Sequence, residues 1–137
     1  MTAPVRFAYT SAAPALGPVS LRPILPLVLS SGSSTLAVDG LLDTGSSLCV
    51  LPYTAGLQLG LDWDRQKFPL TLSGSLAAQP ARAVVLKATV ASFPPVRLAF
   101  AWTQTDGIPV ILGQTNFFIE FEVCFFRAQS AFEVKPK

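Results

Sequence analysis

Histidine is absent from this chain of 137 residues, cysteine occurs only twice, and charged residues make up 13% of it. Each shortage removes a class of chemistry. Without histidine there is no Ser-His-Asp or Cys-His nucleophile pair, no H-E-x-x-H zinc site and no imidazole acid–base couple. Cys49 and Cys124 lie far apart in sequence and cannot supply a cysteine-rich zinc site; two buried free thiols is the simplest reading of them. The ten Lys and Arg residues are scattered singly and the net charge is +2, so no basic stripe points to nucleic acid. Phosphate-loop and dinucleotide-binding glycine patterns are both missing. The longest uncharged run, Thr44 to Leu61, is broken by Gly45, Pro52, Gly56 and Gly60, which argues against a membrane span. Residues 1–20 lack the continuous apolar stretch of a signal peptide, and a cytoplasmic location is the expectation from that.

What the chain has is apolar content and strand patterning. Half of it is hydrophobic and its mean hydropathy is +0.49. That composition excludes intrinsic disorder and suggests a self-association face. Residues 1–20 read as an N-terminal arm or edge strand, since Pro4, Pro14 and Pro18 cannot donate to a central ladder. Residues 21–137 read as one domain. Within it, Arg22 to Leu29 and Thr35 to Leu42 are strands around a Ser/Gly turn, and Leu48 to Leu51 is a short strand stopped by Pro52. Thr54 to Leu61 has a weak helical signal. Val84, Leu86, Ala88 and Val90 alternate with polar or small neighbours, as do Val96, Leu98, Phe100 and Trp102, giving the period of a half-buried strand. Leu70 to Leu76 and Arg82 to Val90 form a hairpin with its tip near Ser73-Gly74-Ser75 or Ala77 to Pro80. Gln114 to Phe118 reads as a short helix, and Phe121 to Phe126 and Ala131 to Lys135 as the last strands. The fold class is all-β.

The sharpest feature is Leu41-Leu42-Asp43-Thr44-Gly45-Ser46-Ser47. An acid at the end of an apolar strand, followed by a hydroxyl and a glycine, sets a carboxylate on a tight loop where backbone N–H groups and hydroxyls orient it. The same five residue types also suit a surface turn or helix cap. Apolar flanks on both sides argue against an exposed turn. About 70 residues later, Ile108 to Gly113 is an apolar strand ending in glycine.

Together these two segments resemble the retroviral-type (retropepsin-like) aspartic proteases, and most of all their bacterial single-domain branch. Ile111-Leu112-Gly113-Gln114-Thr115-Asn116-Phe117-Phe118 is similar to a Leu-Gly-Arg-x-Asp-Phe-Phe stretch in that branch, and the resemblance runs from Arg22 to Lys135. It implies a closed β-barrel or sandwich with one short helix and one catalytic loop per chain. The activity it implies is aspartic endopeptidase, needing no metal or cofactor and acting on peptides or unfolded protein segments. Asp43, Thr44 and Gly45 would be catalytic, with Thr44 bonding across a dimer axis or merely stabilising its own loop. Ser46, Ser73, Gly74 and Ser75 would bind substrate, the last three from a flap. Ser46 would bond either the outer oxygen of Asp43 or its loop backbone. Ile111, Leu112 and Gly113 would support the loop from behind, while Phe117, Phe118 and Trp102 suit the core. Because only one Asp-Thr-Gly is present, the chain is half a site, and a homodimer would bring two copies of Asp43 together.

The chain departs from the pattern at Gln114 and Ser47, where many members carry a paired Arg and Asp, and at Asn116, where bacterial members often carry Asp. In family dimers the arm and the last strand form an interdigitated sheet. The altered pair motivates a second reading, a retropepsin-like binding or regulatory module without working catalysis. A small barrel for an apolar ligand is a third, resting on hydrophobicity alone.

Overall fold

A computed structural model describes residues 2–11, 13–72, 76 and 79–137. Strand β1 (Val5–Ala8) opens the chain, and a 3-10 stretch, Pro14–Ser20, follows it. The hairpin β2 (Ile24–Ser31) and β3 (Ser34–Leu42) turns at Gly32, whose positive φ suits glycine. Then come β4 (Cys49–Leu51), helix α1 (Tyr53–Gln58) and β5 (Pro69–Leu70). The long hairpin β6 (Ala81–Thr89) and β7 (Val96–Thr103) precedes β8 (Val110–Leu112). Helix α2 (Phe117–Glu120), β9 (Phe121–Phe126) and β10 (Ala131–Pro136) complete it.

Seven strands lie in the order β2-β3-β8-β4-β7-β6-β5, and β2 also pairs with β6. That pairing (Val28↔Thr89, Leu29↔Ala88, Ser30↔Lys87) closes six strands into a barrel and leaves β5 as an appendage. Closure removes the free sheet edges that an open β fold exposes. The interior is filled by Leu25, Leu27, Leu29, Leu42, Leu86, Leu98, Phe100, Leu112 and Phe117, all buried. A separate three-stranded sheet, β1-β10-β9, packs Phe132 and Val134 against this core.

The period-two pattern of β6 is matched: Val84, Leu86, Ala88 and Val90 are buried. On β7 it fails at one end, where Ala101 and Thr103 are buried as well. Ala101 belongs to a second apolar cluster, with Val50, Leu72 and Ala81, on the outer face of the barrel wall. Strand β4 is buried on both sides for the same reason, with Cys49 and Leu51 in the main core and Val50 in the second cluster.

Two features of the helices differ from the sequence reading. The helix expected over Gln114 to Phe118 starts three residues later, because Thr115 is held in a β-bridge beside Leu48, its N–H donated to Ser47 O and its carbonyl accepting from Cys49 N. The weak signal after Pro52 is realised as α1. Its Gly56 packs flat on Trp102, where a Cβ would overlap the indole ring. Trp102 stacks on Tyr53 (5.6 Å), meets Trp63 edge-on (5.3 Å) and donates Nε1–H to Tyr53 O at 3.1 Å. Trp102 and Phe117 are core residues as expected; Phe118 is half-buried against them. Of the cysteines, Cys49 is buried but Cys124 is exposed on β9, where alternation turns it away from the core.

The connection from β7 to β8 is tied to α1 by Asp106, whose carboxylate accepts from Thr54 N (3.0 Å) and Thr54 Oγ1 (2.7 Å). The backbone bond first, and the hydroxyl second, hold the Asp106 carboxyl below its ordinary pKa. A group whose pKa is depressed by folding stabilises the native state above its unfolded pKa and loses that contribution as the pH falls through the folded value. Replacing Asp106 by Asn should therefore lower the urea midpoint at neutral pH. The gap from wild type should close as the pH approaches about 2, in midpoints followed by tryptophan fluorescence. A gap independent of pH would mean that the carboxylate charge plays no part.

Candidate active site

Asp43 stands one residue past the end of β3, and β8 fixes its position. β8 runs parallel to β3 (Gly40↔Val110, Leu41↔Ile111, Leu42↔Leu112) and touches β4 on its other side at Val50↔Ile111. The chain leaves β3, loops through residues 43–48 and re-enters the sheet as β4, with β8 threaded between. Asp43 N–H donates to Leu112 O (3.0 Å) at the near end of the loop. At the far end, Gln114 N donates to Ser46 O and Thr115 N to Ser47 O, each at 2.8 Å, and Cys49 N donates to Thr115 O at 3.1 Å. Backbone hydrogen bonds thus pin both ends of the loop to one segment, Leu112 to Thr115.

Gly113 makes this possible. A Cβ there would drive into the Leu48 carbonyl and lie 2.8 Å from Ser46 O, and both obstacles are backbone. Its N–H points at Cys49 Sγ (3.4 Å), so the buried thiol serves as a weak acceptor behind the loop. Gly45 is different. Among the described residues, a Cβ at that position would meet Asp43 Oδ1 alone, at 3.3 Å, and no positive φ calls for glycine there.

Within the loop, Asp43 Oδ1 accepts from Gly45 N (3.0 Å), and Asp43 O accepts from Ser46 N (3.1 Å). The Ser46 hydroxyl donates to Leu48 O (2.7 Å), taking the loop-backbone alternative rather than the Asp43 carboxylate. Thr44 is exposed, and its carbonyl accepts from Gln114 Nε2 (2.9 Å). Gln114 therefore engages the loop backbone and not the Ser47 side chain. Ser47 is exposed. Asn116 uses both ends of its amide, Oδ1 accepting from Ala99 N (2.8 Å) and Nδ2 donating to Arg97 O (3.2 Å). A carboxylate in its place has no hydrogen to give Arg97 O.

Asp43 is half-buried at the side of a cleft of about 330 Å³, whose floor is the second apolar cluster. Gly45, Ser46, Ser47, Leu48, Val50 and Ile111 line it from the loop and barrel side, and Thr71, Leu72 and Leu76 from the arm of the β5–β6 hairpin. Among the described residues, Asp43 is the one ionisable side chain on this lining. Ile111 faces the cleft, Leu112 the barrel core and Gly113 the loop backbone, so the three expected supports do three separate jobs. Ser73, Gly74 and Ser75, expected at the hairpin tip, lie outside the described residues. The legs of that hairpin pair as expected, Leu70 with Ala81 and Pro69 with Arg82. Val50 and Leu72 were not anticipated at the site, and Gln114, expected opposite Ser47, bonds Thr44 O instead. The run of Leu70 and Leu72 at alternate positions is the signal in the sequence for Leu72.

The described residues hold no cluster of His, Cys, Asp or Glu able to bind a metal, and no described helix is long and apolar enough to cross a membrane. The solved structure of a retropepsin-like aspartic protease from Rickettsia conorii superposes with a TM-score of 0.67 and 12% identity, over 98% of this chain and 100% of that one. The EIAV protease complexed with the inhibitor HBY-793 superposes with a TM-score of 0.54 and 17% identity, over 68% of this chain and 82% of that one. The fold is that of the retropepsin-like aspartic proteases. Within it, β8 between β3 and β4 and the loop at Asp43 are the parts described above. No protein-family model matches the chain. One curated protein, ribosomal RNA small subunit methyltransferase H of Syntrophobacter fumaroxidans (strain DSM 10017 / MPOB), is 35% identical over 106 residues. That match covers 75% of this chain but 33% of the methyltransferase, so the chain spans about a third of its length.

The retropepsin-like sheet of arm and last strand also takes a definite form here. Strand β10 lies between β1 and β9 of its own chain, in registers Val5↔Val134 to Ala8↔Ala131 and Ala131↔Phe126 to Pro136↔Phe121. Phe7 stacks on Phe132 (5.3 Å), and Arg6 pairs with Glu133 (3.1 Å).

The two glycines of the site should separate cleanly. Gly113→Ala should cost about 2–4 kcal/mol or prevent folding, because neither obstructing carbonyl can rotate away. Gly45→Ala should stay within about 0.5 kcal/mol of wild type. Urea unfolding of the two variants checks this, and equal stabilities would refute the packing account.

Proposed function

We propose that the chain is an aspartic endopeptidase that works as a homodimer, each subunit contributing one Asp43. The single observation that carries this reading is the placement of Asp43. It sits on a loop pinned at both ends and opens into a cleft of a retropepsin-like barrel with no other ionisable group on the described lining. Residues 1–20 act as an arm on the catalytic unit, residues 21–137.

In the dimer, Asp43 and Asp43 of the partner subunit share one proton, because two carboxylates in contact cannot both be ionised. The ionised carboxylate takes a proton from a bound water as that water's oxygen bonds to the scissile carbonyl carbon. The protonated carboxyl gives its proton to the carbonyl oxygen, forming a neutral tetrahedral diol. Collapse of the diol breaks the C–N bond, with one carboxyl protonating the leaving nitrogen and the other receiving the hydroxyl proton. Each carboxyl thus exchanges roles within a turnover. No cofactor enters the balance.

The exposed position of Thr44 suits a contact across the two-fold axis, and the room beside Gly45 suits close passage of substrate backbone. The Ser73-Gly74-Ser75 tip serves as the flap on this reading. Dimerisation uses the Thr44 loop and the outer edges of β1 and β9, since both edges of β10 are taken within the chain. The apolar cleft floor favours uncharged side chains next to the scissile bond.

The test is cleavage of a mixed peptide library between about pH 3 and 7, which includes acidic conditions under which a carboxyl pair holds one proton, read by mass spectrometry. Asp43→Asn should lower cleavage by at least about a thousandfold with the fold intact. Wild-type activity should rise faster than linearly with protein until the dimer saturates. Full activity in the variant would end this reading, and a folded wild type that binds peptides without cutting them would favour a non-catalytic binding module.

A further inference from the structure

The outer face of the barrel wall formed by β2, β6 and β7 carries an unbalanced charge pair, and nothing in the reaction described above uses it. Lys87 on β6 stands directly opposite Arg97 on β7, and Ser30 on β2 lies opposite Lys87 on its other side. Alternation turns these three side chains outward, while Leu29, Leu86 and Leu98 fill the barrel. Like charges that face each other across a strand pair destabilise the sheet. Elsewhere the chain occupies its cations. Four of its ten Lys and Arg residues pair with carboxylates, and Arg22, Arg82 and Arg127 donate to backbone carbonyls. Every Asp and Glu is among the described residues, and none of them pairs with Lys87 or Arg97.

Apolar side chains flank the pair at strand spacing. Two residues to one side, Val85 is 53% exposed and faces the exposed Ala99. Two residues to the other side, Thr89 is in register with Val28, which is 40% exposed on β2. Each of these steps is about 7 Å along the strand. The positions between and beside the two valines hold short side chains, Ser30, Ala37, Thr89 and Ala99, which leave the cations and the valines standing clear. Asn116 fixes the β7 side, its Oδ1 accepting from Ala99 N (2.8 Å) and its Nδ2 donating to Arg97 O (3.2 Å). The patch is built on paired strands, whose backbone is already held in place.

We propose that this face docks an acidic, extended segment of a protein partner. A Glu or Asp of that segment lies between Lys87 and Arg97, and apolar side chains two residues before and after it rest on Val85 and Val28. Charge and spacing both favour this occupant, because alternate side chains of an extended peptide project from one face about 7 Å apart. A carboxylate between the two cations replaces their repulsion by two charge-assisted hydrogen bonds. Nucleic acid and anionic membrane fit less well, since binding to either draws on a row of basic residues and this patch has a single pair. None of these residues lies on the described lining of the cleft at Asp43, so the docking role does not depend on proteolysis.

Two measurements on the full chain test it. In the first, isotope-labelled Asp43→Asn protein, chosen so that the probe stays uncut, is titrated with the end-capped peptide Thr-Val-Thr-Glu-Thr-Val-Thr. Backbone amide signals of Val28 to Ser30, Val85 to Thr89 and Arg97 to Ala99 should shift together. The same peptide with Gln in place of Glu should bind at least about fivefold more weakly. Shifts confined to the cleft at Asp43, or none up to about 5 mM peptide, overturn the proposal. Tighter binding of oligothymidine or of phosphatidylserine-containing vesicles than of the peptide overturns it too, and would assign the pair to phosphate-bearing surfaces. In the second, Lys87→Glu gives Arg97 a cross-strand partner. That variant should gain in urea midpoint at low salt while losing at least about tenfold in affinity for the Glu peptide. The double variant Lys87→Glu, Arg97→Glu should prefer the peptide with Lys at its centre. Wild-type affinity for the Glu peptide in either folded variant overturns the proposal.

Discussion

Gly113 lies against the backbone carbonyls of Ser46 and Leu48, with no room between them for a side chain. That contact lets β8 sit between β3 and β4, and so lets one four-residue segment receive the loop from both ends. Each of the hydrogen bonds involved contributes only about 0.5–1.5 kcal/mol net, but they are made by consecutive residues and stand or fall together. The late start of α2 follows from the same constraint, because Thr115, bonded to the loop through both its N–H and its carbonyl, is held in a β-bridge and not in a helical turn. Asn116 then fastens the entry to α2 onto β7, through one accepted and one donated bond.

A barrel wall that is buried on one face would leave the cleft floor wet. Here β4 and the end of β7 are buried on both faces, and the second cluster, Val50, Leu72, Ala81 and Ala101, joins the base of the β5–β6 hairpin to the wall beneath Asp43. The cleft floor is therefore packed protein, and its shape is set by the same side chains that dock the hairpin. Small residues serve this arrangement. Ala81 and Ala101 leave space for Leu72, which a larger residue on β7 would occupy.

Much of this was legible in the sequence. The strands from Ile24 to Leu42, the β6–β7 hairpin and the β9–β10 pair follow from alternation and turn chemistry, which act locally. The Asp43 loop and the Ile111-Leu112-Gly113 segment stood out for the same reason: each is a compact pattern of unusual residue types. Three things were not legible, because they depend on what the chain meets elsewhere. Ala101 reads as an outward residue until the hairpin base covers it. Gln114 and Thr115 read as helical until Thr115 is drawn into a β-bridge with Leu48. Gly45 and Gly113 look equivalent as letters, yet only Gly113 is packed against backbone.

The replacement of a charged pair by Gln114 and Ser47 bears on when the loop becomes ordered. A guanidinium needs a carboxylate partner to offset its desolvation, and such a pair is strong only when both groups are held together. The Gln114 amide needs no counter-charge, and it finds its acceptor, Thr44 O, inside its own chain. The termini behave in the same way. β10 satisfies both of its edges with β1 and β9 of the same chain, so those ladder bonds do not await a partner. Interactions completed within one subunit contribute equally to monomer and dimer, and so cannot favour association. Loop order in this chain therefore does not depend on association. On the proposed reading each subunit presents a finished half-site, and what remains for assembly is the contact at the axis and whatever the outer edges of β1 and β9 provide.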